Sequence, residues 1–174
     1  STDTVGRRIY TIFFKNIKTG EVYPDIIENT TGKAVWAGDN EHVFYIRKDA
    51  SLRAFQIYRH KLGTDPENDI LIYHEEDETF DVSLFKTKSL KYIFIASSST
   101  NEDEMRFIPA NDVFADWTIV QPRTEDLEYS VEHYEDDFYI ITNADDSTNF
   151  KIVKTKVDKP SMEHWQDFIP HREN

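Results

Sequence analysis

The side chains of this 174-residue chain that could do chemistry are six histidines, three consecutive serines and 33 acidic residues. A catalytic serine works from a strained, glycine-flanked turn with a base beside it. Ser97-Ser98-Ser99 instead lies in a polar stretch with no glycine elbow, expected to be a hairpin loop. Zinc hydrolases pair histidines one helical turn apart around a glutamate, and phosphate sites need a glycine-rich loop. Here His42, His60, His74, His133, His164 and His171 are scattered, and neither G-x-S-x-G, G-x-x-x-x-G-K nor H-E-x-x-H occurs. The absence of cysteine removes disulfides, thiolate nucleophiles and thiolate metal sites together. The expectation is no catalytic residue, no cofactor and no metal ligand within these residues. His60 and His133 read as strand residues held by packing or a turn hydrogen bond. The oxygen-rich segment 143–149 lacks the ordered acidic spacing of a calcium loop and reads as Asx turns. Asn29-Thr30-Thr31 matches a glycosylation acceptor, which matters only after secretion.

Charge narrows the partners. A net charge of −13 repels phosphate backbones and anionic headgroups, so neither nucleic acid nor a membrane surface is an expected partner. Cationic peptides suit that field, and so does plain solubility. The clusters Glu75-Glu76-Asp77-Glu78, Glu102-Asp103-Glu104 and Glu135-Asp136-Asp137 fall between apolar runs, as solvated loops or as the lining of a cation-attracting mouth. Apolar runs such as Ile9 to Phe14 are too short to span a bilayer, and the first eight residues lack the apolar core of a secretion signal. A cytoplasmic setting is the expectation.

The elements that position these groups are strands. Ala34 to Tyr73 contains four short apolar runs, 34–37, 43–46, 54–58 and 70–73, separated by turn residues such as Gly38-Asp39-Asn40 and Asp65-Pro66-Glu67-Asn68. A four-stranded antiparallel meander is one blade of a propeller. The pattern recurs: Val35, Val82 and Val131 are 47 and 49 residues apart, within the usual blade period. Phe44, Tyr92 and Tyr139 follow in the second strand, Tyr10, Ile57, Met105 and Ile152 in the third, and Val22, Ile70, Trp117 and Trp165 in the fourth. The fold class expected is all-β, a partial β-propeller of about three and a half four-stranded antiparallel blades. Its boundaries are a half blade at 7–28 and blades at 33–76, 79–122 and 127–171, so that the chain opens midway through a blade. Residues 51–62 also fit an amphipathic helix by the spacing of Leu52, Phe55, Tyr58 and Leu62, but the repeat favours a strand. Strands two and three of each blade are expected to be the most buried.

Particular strings carry a resemblance. Arg7-Arg8-Ile9-Tyr10, Val35-Trp36-Ala37, Tyr45-Ile46-Arg47-Lys48, Tyr58-Arg59-His60 with Gly63-Thr64, and Leu71-Ile72-Tyr73-His74-Glu75-Glu76-Asp77 are among them. Lys86-Thr87-Lys88-Ser89, Glu128 to His133, Asn149-Phe150 and Ile169 to Asn174 complete the series. In order, they resemble the propeller region of the oligopeptidase B (protease II) branch of the prolyl oligopeptidase family of serine peptidases. The resemblance implies a seven-bladed propeller capping an α/β-hydrolase that carries the Ser, Asp and His triad. It implies cleavage of short peptides after Arg or Lys, with the propeller gating entry. The hydrolase domain and its triad are absent from these residues, so no catalytic residue is carried over. Arg7 and Arg8 match a basic pair near the interface between domains and are the candidate domain-interface residues. The partners implied are oligopeptides with basic residues and the catalytic domain; two uncovered sheet faces add self-association. Two other readings stand beside this one. One is a stand-alone propeller binding protein or glycan partners, favoured if Trp36, Trp117 and Trp165 form an exposed row. The other is proline specificity within the same family.

Overall fold

The computed structural model describes residues 1–172, so that Glu173 and Asn174, the end of the last quoted string, lie outside the described residues. Among the described residues thirteen strands form three antiparallel sheets, and the helices are two three-residue 3-10 turns, Pro66–Asn68 and Met162–His164. The fold is the expected all-β propeller architecture, with sheets of four to five strands. The chain forms two compact units that meet in sequence at Leu84 and Phe85.

The first unit holds β1 (Tyr10–Lys15), β2 (Val22–Trp36), β3 (His42–Lys48), β4 (Ala54–Lys61) and β5 (Ile70–His74), hydrogen-bonded in that order. Residues 54–61 are a strand and not a helix, because Phe44, Tyr45 and Ile46 of β3 offer Arg59, Tyr58 and Ile57 a complete ladder. Two short strands were expected where β2 runs unbroken for 15 residues. Its first half pairs with β1 and its second with β3, and Thr30 pairs with both Tyr10 and Arg47. The changeover is a bulge: Asn29 and Gly32 have φ of 59° and 82°, and the ladder to β3 shifts between Thr30 and Ala34. Thr30, fully buried, donates its hydroxyl to the Tyr10 carbonyl at 2.9 Å and accepts the Gly32 N–H at 3.0 Å. A Cβ on Gly32 would lie 2.7 Å from Cγ of Tyr10, so glycine is required there. Ile12, Phe14, Ile27, Val43 and Tyr45 make the core beneath.

Two further sheets follow, and the first strand of the earlier one straddles the junction at Leu84 and Phe85. One runs β6 (Asp81–Lys86), β7 (Tyr92–Ser98), β8 (Asp103–Pro109), β9 (Thr118–Gln121), and the other β10 (Tyr129–Tyr134), β11 (Asp137–Thr142), β12 (Lys151–Lys156), β13 (Gln166–Ile169). Phe94, Phe107 and Phe138 from both sheets pack at centroid distances of 4.9 to 5.5 Å. Each such buried ring contributes about 2–3 kcal/mol of transfer free energy. Tyr129, on β10, sends its hydroxyl across to the other sheet. It accepts the N–H of Met105 at 2.7 Å and of Gln121 at 3.3 Å and donates to the Gln121 carbonyl at 2.6 Å. This oxygen fills the ladder where β8 and β9 slip register between Met105 and Arg106.

The expected burial of strands two and three holds for β3 and β7, where Val43 to Ile46 and Ile93 to Ser97 are continuously buried, but not throughout: β11 is no more buried than β10, the third strands β4 and β12 bury two residues each, and β13 is exposed along its length. The repeat register needs a correction. Val35 pairs with Phe44, but Val131 pairs with Ile140, not Tyr139. Likewise the turn bond from Ala37 N–H to the His42 carbonyl has its counterpart from Thr87 to Tyr92, which places Phe94 at the Phe44 position. Phe44, Phe94 and Ile140 are all fully buried; Tyr92 and Tyr139 are not. For Tyr139 the slip is one residue, and it turns the side chain to the opposite face.

Candidate functional site

The residues singled out by type are dispersed, and most are explained by packing. Ser97 and Ser98 lie on β7 and not in a loop; Ser97 is buried and accepts a hydrogen bond from Arg123 at 3.0 Å. His133 is buried, packs 4.7 Å from the Tyr92 ring and bonds Ser89 Oγ at 2.9 Å, so burial, with Lys91 nearby, lowers its pKa. Trp36 is partly exposed, while Trp165 is half-buried and donates its ring N–H to the Pro160 carbonyl. Trp117 is also half-buried, so the three do not form an exposed row. Among the described residues no group of three or more His, Cys, Asp or Glu is disposed to hold a metal. No described helix is long and apolar enough to cross a membrane.

Arg7 and Arg8 are exposed beside a loop knotted around Asp3, whose carboxylate accepts the N–H groups of Val5, Gly6 and Arg8 at 2.8 to 3.0 Å. Arg8 sits at φ 60°, and its carbonyl accepts Lys48 Nζ at 2.8 Å. The backbone of Arg8 is thus fixed while both guanidinium groups point to no described carboxylate within ion-pair distance.

One arrangement does bring charge together. His60 on β4 is fully buried, stacked 5.5 Å from Phe14, with Nδ1 2.8 Å from Asp69 and Nε2 3.3 Å from Asp25. Burial alone would lower the His60 pKa, but the two carboxylates, Asp69 foremost, outweigh it and hold the imidazole above its ordinary value. In the protonated form both ring nitrogens donate. Asp25 also accepts the Gly63 N–H, and Asp69 also accepts the Tyr45 hydroxyl at 2.9 Å. Burial and the Asp69 charge push the Tyr45 phenol up, so it stays a neutral donor. The network therefore holds protons and ties β2, β3 and β4 to the segment before β5; with a phenol as its hydroxyl it supplies no nucleophile.

Above it opens a cleft of about 700 Å³, lined by Glu28, Arg47, Tyr58, Asp65, Glu67 and Asp69 among others. Arg47 lies 4.7 Å over the Tyr58 ring and 5.8 Å from the Tyr45 ring, which themselves stack at 5.6 Å. Its Nε is buried without a hydrogen-bond partner. Asp65 caps the 3-10 turn, accepting the Glu67 N–H at 3.0 Å, and so holds Glu67 at the rim. Sequence reasoning singled out His60 but missed Asp25, Tyr45, Arg47 and Asp69. The available signal was a carboxylate at an inward position, since Asp25 alternates with buried Ile27.

Comparison with known proteins places this architecture. The family model described as the prolyl oligopeptidase N-terminal beta-propeller domain matches residues 1–174. Dipeptidyl aminopeptidase BI of Pseudoxanthomonas mexicana is 41% identical over 99% of this chain, and Protease 2 of Moraxella lacunata 36% over 83%. The chain spans 24% and 21% of those two proteins. Oligopeptidase B from Leishmania major superposes on 95% of the chain with a TM-score of 0.88 at 26% identity, covering 23% of that protein. Oligopeptidase B from Trypanosoma brucei, solved in a closed form with covalently bound antipain, does so over 95% with 0.85 at 30%, again covering 23% of that protein. The chain belongs to the prolyl oligopeptidase family, as part of its N-terminal β-propeller domain.

Proposed function

We propose that this chain is part of the substrate-gating propeller of a cytoplasmic serine oligopeptidase that cleaves short peptides after Arg or Lys. The observation that carries the reading is the match of the propeller family over residues 1–174, together with the two oligopeptidase B structures at TM-scores of 0.88 and 0.85. The net charge of −13 supports it, because an acidic propeller attracts cationic peptides and repels acidic ones. In this reading the triad belongs to an α/β-hydrolase domain, Arg7 and Arg8 face that domain, and the blades divide at 7–28, 33–76, 79–122 and 127–171. The chain self-associates through apolar side chains left in solvent, such as Phe13 and Ile26.

The test is to express the protein encoded by the whole reading frame and assay fluorogenic peptides ending in Arg, Lys or Pro before the reporter, alongside a folded protein. Cleavage after Arg and Lys but not Pro, inhibition by a fluorophosphonate, and resistance of the folded protein are the expected results. Absence of serine-directed labelling overturns the reading. The 41% identity to a dipeptidyl aminopeptidase favours a second reading, release of dipeptides from a free amino terminus. Loss of cleavage on acetylating the substrate's amino terminus would select it.

A further inference from the structure

We propose that the Arg47 cleft is a binding site for a peptide end that carries both a free α-carboxylate and a basic side chain, as a peptide with Arg or Lys at its carboxyl terminus does. Arg47 is the cation of the lining, held in place by two stacked tyrosine rings. Among the described residues no carboxylate lies within ion-pair distance of its guanidinium, although four line the same cleft. A planar guanidinium that lines a cleft without a carboxylate partner is the group that recognises a ligand carboxylate. A lone anion would nevertheless be repelled by the walls.

Of the four carboxylates, Asp69 is committed to His60 and Tyr45, and Asp65 to the N–H of Glu67. Those of Glu28 and Glu67 have no hydrogen bond or ion pair among the described residues, and both residues are exposed. The cleft thus presents one oriented cation and, at its rim, two free anions, which is the complement of a ligand with one carboxylate and one cation. The volume of about 700 Å³ falls in the range that holds such a ligand. The rims are rigid where it matters: Glu67 lies within a capped 3-10 turn, and Arg47 lies opposite the buried Thr30 in the ladder. The inference stands on the charges of the cleft and not on the cleavage reading. A peptidase cutting after Arg or Lys releases products of this chemistry, so the site would report product.

The test is calorimetric titration of the full 174-residue chain with the dipeptide Ala-Arg, its carboxyl amide and Ala-citrulline. Ala-Arg is expected to bind saturably, and each of the other two about tenfold or more weakly, the loss of one charge-assisted contact. Arg47→Gln should abolish the distinction between acid and amide. Because Arg47 packs on two rings, its variant is checked by circular dichroism, and the exposed Glu28→Gln, Glu67→Gln double variant gives an independent reading: it should erase the preference for arginine over citrulline and leave that for acid over amide. Equal affinity for acid and amide, or no saturable binding up to about 10 mM Ala-Arg, far weaker than a millimolar site, overturns the inference. Neither result bears on where the whole enzyme cuts.

Discussion

His60 holds two buried carboxylates with one ring, so removing it strands both. His60→Leu is expected to cost about 3–5 kcal/mol, the usual penalty for leaving buried charge uncompensated, read as a fall in the denaturant midpoint. Tyr45→Phe deletes one hydrogen bond to the same Asp69 and should cost about 1 kcal/mol, with the fold intact. At the bulge in β2, Gly32→Ala meets both a left-handed φ of 82° and the Tyr10 ring at 2.7 Å. The conformational penalty alone is about 1–2 kcal/mol, so thermal unfolding should drop measurably further than for an alanine at Gly20, where nothing lies within 4 Å. How much of this was legible from residue types differs by residue. A glycine before Lys33 suggests a turn; that it sits inside a strand depends on Tyr10, 22 positions away in sequence. His60 and its partner Asp25 are separated by 35 positions, and composition has no means of pairing them.

At the scale of elements, β4 and β10 each carry a buried histidine, and the two respond to acid in opposite directions. The His60 pKa is raised, so its contribution is complete below the unfolded value of about 6.5 and is lost as pH rises through the folded value. The His133 pKa is lowered, so its contribution is complete above about 6.5 and is lost as pH falls through the folded value. Amide exchange should therefore show the first unit loosening toward alkaline pH and the second toward acid; parallel responses would contradict the assigned partners. Arg53, paired with Asp49 at 3.0 Å, donates to the carbonyls of Asp77 and Phe80 at 2.9 Å and so clips the loop before β6. Arg53→Ala should speed exchange across 75–81 while leaving β3 protected. Strand positions were readable because each is a short apolar run between turn residues. Register was not, because the connections differ in length: a turn bond joins Ala37 to His42, whereas β10 passes to β11 directly from Tyr134 to Asp137. An average repeat hides such differences.

For the whole molecule, the proposed self-association makes a simple expectation. Phe13 and Ile26, paired across β1 and β2, are 44% and 48% exposed and are the apolar pair through which the proposed contact would run. Sedimentation velocity should show mass rising with concentration, and a Phe13→Ser, Ile26→Thr double variant should sediment as a monomer; a concentration-independent monomer for the unsubstituted chain would refute it. The continuous β2 also decides where the chain can be cut and rejoined. Between the Thr19-Gly20 turn and Trp36 there is no loop, so a seam placed there would splice one strand's inward side chains onto another's register. A transplantable unit is therefore bounded by hairpin connections, such as Asp49 to Arg53, where a junction leaves every strand whole.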